Sequence, residues 1–364
     1  MERRALLQET VDAVSELLRN HEPQPPDHLE VEQIVLAKGS LTTPERKVFA
    51  QRICGLFQSA KVGTEPDTPG NQVRVPGRSV VARLERGKRM LVLGELKDPV
   101  RSTAEEPSSQ DYWSFSTHTN CHYGCRYCYL DAARTVWFSP AIRIHVNLEE
   151  IIRRIDHVAF SQGTITAFCL GRLQDALALD PLTGYSKVLV GFFSEHRFAR
   201  QILATKADSV DHLLDLDHGG RTVLCWSLIP PEIADSLEVH VPSVESRIEA
   251  MKRCAERGYP IRARIQPVFP EMEWRGAYAA FVKDLVSELP LDRLGFGGSY
   301  TNGRVKYLMK RQLPELYGAF KGPCTSNLDE DLYSRAWCER HYGDLVDAAV
   351  SVRPGIAIGP CHML

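Results

Sequence analysis

The sequence lacks any apolar run approaching the roughly 20 residues that a membrane-spanning helix needs, which argues against an integral membrane protein. No long apolar stretch follows the opening Met1-Glu2-Arg3-Arg4-Ala5, so no secretory leader is expected and the cytoplasm is the expected compartment. Net charge is also missing. The formal value is −2 over 364 residues, which gives no global pull toward nucleic acid or a membrane surface, although a local basic groove is compatible with it. Ten cysteines, three of them clustered, do not read as a disulfide framework in a chain of this length. Internal repeats and low-complexity segments are absent. What remains is the ordinary make-up of a globular protein, 43% hydrophobic and 25% charged. Such a chain can bury a large core, as one big domain or a domain with an appendage.

Against this background stands Cys121-His122-Tyr123-Gly124-Cys125-Arg126-Tyr127-Cys128-Tyr129-Leu130. Soft thiolates so close together suit zinc or an iron–sulfur cluster. A structural zinc site usually takes four protein ligands, commonly as two Cys-x-x-Cys pairs, and no matching pair follows the trio. Three thiolates on a four-iron cubane leave one iron without a protein ligand, open to a substrate or cofactor. Cys121, Cys125 and Cys128 are therefore the expected metal ligands.

The spacing, with aromatic Tyr127 just before the last cysteine, resembles the signature of radical S-adenosylmethionine enzymes. Several further runs are similar to the spore photoproduct lyase family: Ser139-Pro140-Ala141-Ile142-Arg143-Ile144-His145-Val146-Asn147-Leu148, Val210-Asp211-His212-Leu213-Leu214-Asp215, Ser246-Arg247-Ile248-Glu249-Ala250 and Gly258-Tyr259-Pro260. The likeness spans roughly residues 70 to 310. It implies a [4Fe–4S] cluster and S-adenosylmethionine as cofactors. It also implies reductive cleavage of that cofactor to a 5′-deoxyadenosyl radical, and an electron donor such as flavodoxin or ferredoxin.

The residue pattern and the resemblance together give an expected fold. Leu6, Leu7, Val11, Val14, Leu17 and Leu18 share one helical face. Thr43-Pro44-Glu45 is a helix start, with a threonine cap and proline in the first turn. Residues 61–78 and 98–110 read as polar loops. From about residue 111 strands and helices alternate, which points to a parallel sheet, with strands expected at Tyr112–His118, Thr164–Leu170, Gln201–Lys206, Thr222–Leu228, Arg262–Val268 and Arg293–Gly298. Six such units match the partial (β/α)6 TIM-like barrel of the resembling superfamily, with reactive groups at the C-terminal strand ends. The expected division is an N-terminal α/β extension over 1–78, the barrel over 79–310, and a C-terminal helical region and tail over 311–364.

Further site residues follow from the resemblance. Tyr127 is expected against the adenine, and Lys206 and Ser227, at strand ends, match positions that contact S-adenosylmethionine. Asp175 is expected to orient a cofactor or substrate group, with Asp180 as a structural cap. Arg143 reads as a helix-boundary or salt-bridge residue. Arg262 and Arg264 alternate along one strand face and are expected to reach an anionic group unless paired.

Tyr127 and Tyr129 match two tyrosines that relay a hydrogen atom in the family, which makes Tyr129 a catalytic candidate. The donor cysteine of the family has no aligned equivalent, because Arg172 stands in its place. Cys169, three residues earlier, is the substitute donor candidate. Ile229 replaces an asparagine that follows the strand-end serine. A glycine- and tyrosine-rich hairpin that grips DNA in the lyases has no counterpart after residue 310.

These departures favour a small-molecule, nucleoside or peptide substrate, with DNA the less favoured partner and repair of a thymine photoproduct the alternative. A non-catalytic iron–sulfur or zinc module is the remaining one.

Overall fold

The structure, a computed structural model, describes residues 2–64, 71–103, 112–269, 275–298, 303–314 and 335–359. The N-terminal part runs α1 (Glu2–Asn20), β1 (Gln33–Leu36), α2 (Pro44–Leu56), β2 (Lys61–Thr64), α3 (Val80–Gly87) and β3 (Met90–Gly94). Val14, Leu17 and Leu18 bury the expected face of α1. Thr43 caps α2 as expected, its side chain accepting from the Arg46 N–H at 3.3 Å. β3 is buried along its whole length, the near-continuous apolar run of a parallel strand covered on both faces.

The chain continues with β4 (Val100–Ser102), β5 (Trp113–Phe115), β6 (His118–Thr119), β7 (Gly124–Cys125), α4 (Arg134–Phe138), β8 (Ile142–His145), α5 (Leu148–Gln162) and β9 (Thr166–Leu170). Next come α6 (Asp180–Thr183), α7 (Tyr185–Glu195), β10 (Ala199–Thr205), β11 (Thr222–Leu228), α8 (Pro231–Leu237), β12 (Glu238–Val239), α9 (Val244–Glu256), β13 (Ile261–Ile265), α10 (Arg275–Glu288), β14 (Arg293–Phe296), α11 (Gly303–Gln312) and α12 (Arg335–Val352).

Two large mixed sheets organise the molecule. One has the order β2-β1-β3-β8-β6 and the other β14-β13-β11-β10-β9-β5-β4. In the second, β5, β9, β10, β11, β13 and β14 lie side by side in chain order and all parallel. These are the six strands expected from the sequence. Phe168, Leu203, Trp226, Ala263 and Leu294 turn one face of this sheet toward the main core. Cys169, Ile202, Val223 and Cys225 form a smaller apolar cluster that belongs to the opposite, inner face.

Three expectations need correction. Residues 61–64 form strand β2, paired in parallel with β1, inside what reads as a loop. Residues 100–102 likewise form β4, antiparallel to β5; the rest of that expected loop, 104–110, falls outside the described residues. Arg143 lies in the middle of β8, 4% exposed, and not at a helix boundary. The α/β class is observed, but no strand pairing among the described residues joins the two edges of the seven-stranded sheet, so it is an open sheet. No described helix is long and apolar enough to cross a membrane.

Candidate active site

The cysteine segment leaves the C-terminal end of β5 through β6 and enters its loop at Asn120. Asn120 takes φ +75°, a left-handed conformation that asparagine tolerates better than most residues. Its side chain accepts from the Cys121 N–H at 2.8 Å and donates to the Pro140 carbonyl at 2.6 Å. Further on, β7 pairs antiparallel with β12, placing Cys125 opposite Glu238. The loop is thus held at both ends by residues far away in sequence.

Cys121, Cys125 and Cys128 line one cavity of about 120 Å³ at the C-terminal ends of the parallel strands. Tyr127 and Tyr129 line it from the same loop, Lys206 from the end of β10, and Ser227 from β11. Asp175, Arg264 and Gln266 complete its polar rim. At the end of β9, Gly171 has φ +126°, and a Cβ there would stand 2.7 Å from Ala204. Only glycine lets this turn pass so close beneath the next strand.

Among the described residues no three His, Cys, Asp or Glu side chains close on a point where a single metal ion would sit. The three thiols line one cavity together, a soft donor set of the kind that suits a multi-iron cluster. Behind them, Lys88 donates to the Tyr123 carbonyl at 2.5 Å and lies 3.4 Å from Asp131. Burial alone would lower its pKa, but Asp131 and the three thiols outweigh that and raise it, so the ammonium stays charged. A fixed cation beside three thiolates supports binding of an electron-rich cluster.

The cofactor candidates meet in a buried ion network around Glu238. Its carboxylate accepts from Lys206 Nζ at 2.7 Å, from Arg247 Nη2 at 2.6 Å and from the Tyr127 hydroxyl. Burial would raise the Glu238 pKa, but Lys206 and Arg247 hold it down at about 2. Arg247 also donates to the Ser227 carbonyl at 3.0 Å. Lys206 is therefore paired within the protein, its Nζ 5.7 Å over the Tyr127 ring. Neither Glu238 nor Lys88 stands out locally in the sequence. Arg247 falls in one of the family-like runs, which was a usable signal.

Asp175 is consumed by structure. Its Oδ1 accepts from Thr205 Oγ1 at 2.6 Å and from the Leu177 and Ala178 N–H groups, and its Oδ2 accepts from the Lys206 N–H at 2.6 Å. Burial nonetheless raises its pKa. Asp180 acts as a cap, accepting from the Ser186 N–H at 2.9 Å. Arg262 reaches Asp292 at 2.7 Å, so of the two strand arginines only Arg264 lines the cavity.

Tyr129 donates to the Arg172 carbonyl at 2.5 Å. Arg172 is the residue that the sequence reading expects in place of the family's donor cysteine. Cys169 is not among the cavity-lining residues. It is 4% exposed and packs with Ile202, Val223 and Cys225 on the inner face of the sheet.

A thiol trio around a cavity at the strand ends, backed by a cation and flanked by tyrosines, defines an iron–sulfur enzyme of the radical S-adenosylmethionine class. A family model described as spore photoproduct lyase matches residues 41–296, and the chain belongs to that family. Its cofactors are a [4Fe–4S] cluster and S-adenosylmethionine. The spore photoproduct lyase of Bacillus subtilis is 28% identical over 246 residues, covering 67% of this chain and 70% of that protein. The spore photoproduct lyase of Clostridium acetobutylicum is 23% identical over 265 residues, covering 72% and 76%.

Among solved structures, a spore photoproduct lyase mutant with bound AdoMet and dinucleoside spore photoproduct superposes with a TM-score of 0.76. That match has 22% identity and covers 91% of this chain and 98% of that one. Family membership overturns the reading as a non-catalytic metal module. It also gives no support to a peptide or unrelated small-molecule substrate.

Proposed function

We propose that this enzyme acts on a dinucleoside photoproduct of the kind that its relatives' name describes, within a nucleic-acid strand. The observation that carries this reading is the family match across 41–296 joined to a cavity lined by all three cluster cysteines and both tyrosines. When bound, the cluster and S-adenosylmethionine supply a carbon radical that takes a hydrogen atom from the substrate.

The chain's own residues do the positioning. Cys121, Cys125 and Cys128 hold the cluster. Tyr127, locked by Glu238, offers its ring to the adenine. Among the described residues the Ser227 hydroxyl has no protein partner, and it serves a polar group of S-adenosylmethionine. Lys206, paired with Glu238, and Arg264 set a positive rim for its carboxylate. Asp175 acts indirectly, fixing the backbone from which Lys206 projects. Tyr129, on the cavity wall and held at the Arg172 carbonyl, is the hydrogen-relay candidate. Cys169 is left out, because its thiol lies in the floor and not on the cavity. A barrel-like curvature of the six-stranded parallel array, and the division at residues 78 and 310, complete this reading. An electron carrier such as flavodoxin or ferredoxin supplies the reductant.

The test is anaerobic turnover of a synthetic dinucleoside spore photoproduct by reconstituted, reduced protein. Release of two thymidine units is the expected product. Formation of 5′-deoxyadenosine with the lesion left intact would contradict the substrate assignment.

A further inference from the structure

The net charge of −2 conceals a strong local asymmetry. Between Arg78 and Arg89 five basic residues face the single acid Glu85. α11 carries Arg304, Lys306, Lys310 and Arg311 and no acid. These two helices flank α4, which touches α3 on one side and α11 on the other through a T-shaped Trp137–Tyr307 contact at 6.0 Å. A groove running between α3 and the end of α11 is lined by Arg126 and Arg311, by Lys88 and Arg89, which are paired with Asp131 and Glu32, and by the acids Glu30, Glu85 and Asp131.

Aromatic rings are interleaved with these charges and are not fully buried. Phe138 is 58% exposed and Tyr307 38%. The Arg304 guanidinium lies 5.7 Å from the Trp137 ring and 5.9 Å from Phe138, and that of Arg311 lies 4.6 Å from Tyr307. The face also adjoins the active site. Leu130 and Gly298 line the cavity, α4 starts at Arg134 and α11 at Gly303. Arg304 ties the two segments together by donating to the Ala132 carbonyl at 3.3 Å.

We propose that the face formed by α3, α4 and α11 binds the nucleic-acid strand on which the lesion lies. Arginines would contact phosphates, and bases would stack on Phe138 and Tyr307. Stacked cation–ring pairs at a cavity rim suit unpaired bases with backbone phosphates more closely than they suit the acidic surface of an electron carrier. The inference rests on the nucleic-acid reading of the active site. It supplies the grip for which the sequence shows no hairpin, on different elements.

The test compares the full-length reconstituted protein with Phe138→Ala and with the double variant Arg134→Glu/Arg311→Glu, all at exposed positions. Binding of a fluorescein-labelled single strand of about 16 nucleotides is followed by anisotropy across a salt series. The expected result is about a tenfold loss of affinity for Phe138→Ala. The double variant should lose at least as much, with a salt slope reduced by about 0.7 for each phosphate contact removed. Turnover of the free dinucleoside and release of 5′-deoxyadenosine should stay at wild-type levels.

Unchanged strand affinity in both variants would overturn the proposal. So would slower reduction by flavodoxin with strand binding intact, which would assign the face to the electron carrier. If the variants lose strand binding but no form of the lesion is converted even by the wild type, the face stands and the substrate assignment falls.

Discussion

Cys121, Cys125 and Cys128 stand beyond the C-terminal ends of the parallel strands and the pair Cys169 and Cys225 within those strands, yet only the first group lines the cavity. The trio sits on a loop beyond the strand ends, on the rim of the cavity and in the field of Lys88. The pair sits among Ile202 and Val223 on the inner face. Both groups are withdrawn from solvent, so burial alone does not separate a ligand from packing. What separates them is position along the strand axis, the neighbouring cation, and room for a partner. This follows the rule that parallel α/β folds place chemistry at the C-terminal ends of strands and stability below.

The largest expected effect breaks the comparison at its strongest point. Cys125→Ala should lose cluster iron and 5′-deoxyadenosine formation beyond detection, whereas Cys225→Ala should retain both. Equal losses in the two variants, by iron analysis and product chromatography, would erase the distinction.

Next comes the network that pins the loop. Glu238→Gln leaves Lys206 and Arg247 buried without their carboxylate and should cost roughly 3–5 kcal/mol in urea unfolding. The pH dependence has a defined sign. The folded pKa of Glu238 is depressed to about 2, so its stabilisation is complete above the unfolded carboxylate range and fades as the pH falls from about 5 toward 2. The wild type should lose stability across that window more steeply than Glu238→Gln, and parallel curves would remove Glu238 from the account.

Tyr129→Phe should leave 5′-deoxyadenosine release intact but lower lesion conversion by about tenfold, within the range for a positioned proton or hydrogen donor. Conversion at the wild-type rate would show that the hydroxyl only buttresses the loop. Lys88→Met should make the cluster harder to reduce, seen as a more negative midpoint in a redox titration monitored by paramagnetic resonance; an unmoved midpoint would mean its charge is not felt there.

The smallest effect belongs to the floor. Cys169→Ala should cost about 1 kcal/mol of stability and leave lesion conversion unchanged. Loss of conversion with 5′-deoxyadenosine persisting would restore Cys169 as the donor.

Much of this was legible in the sequence because it is local. The thiol spacing, the Thr43 cap and the six apolar strand runs are each written within a dozen residues, and chain order alone sets their succession in the sheet. The two-residue strands β6, β7 and β12 left no such signature. The partners that matter most lie far apart: Tyr127 meets Glu238 across 111 positions, and Lys88 meets the Tyr123 carbonyl across 35. No periodicity reports such pairings. Cys169 is one residue from the end of β9, so the sequence marks it as near the strand end. Only the side-chain alternation and the sheet register show that it points into packed floor.

The most direct test of the account uses anaerobically reconstituted, reduced protein mixed with S-adenosylmethionine carrying a nitrogen-15 label in its amino group. Electron–nuclear double resonance should then show coupling between the label and the cluster, and Cys125→Ala should abolish it. A wild-type cluster that shows no coupling, or whose irons are all held by protein side chains, would contradict the assignment of Cys121, Cys125 and Cys128 as a three-thiolate site with one iron left open.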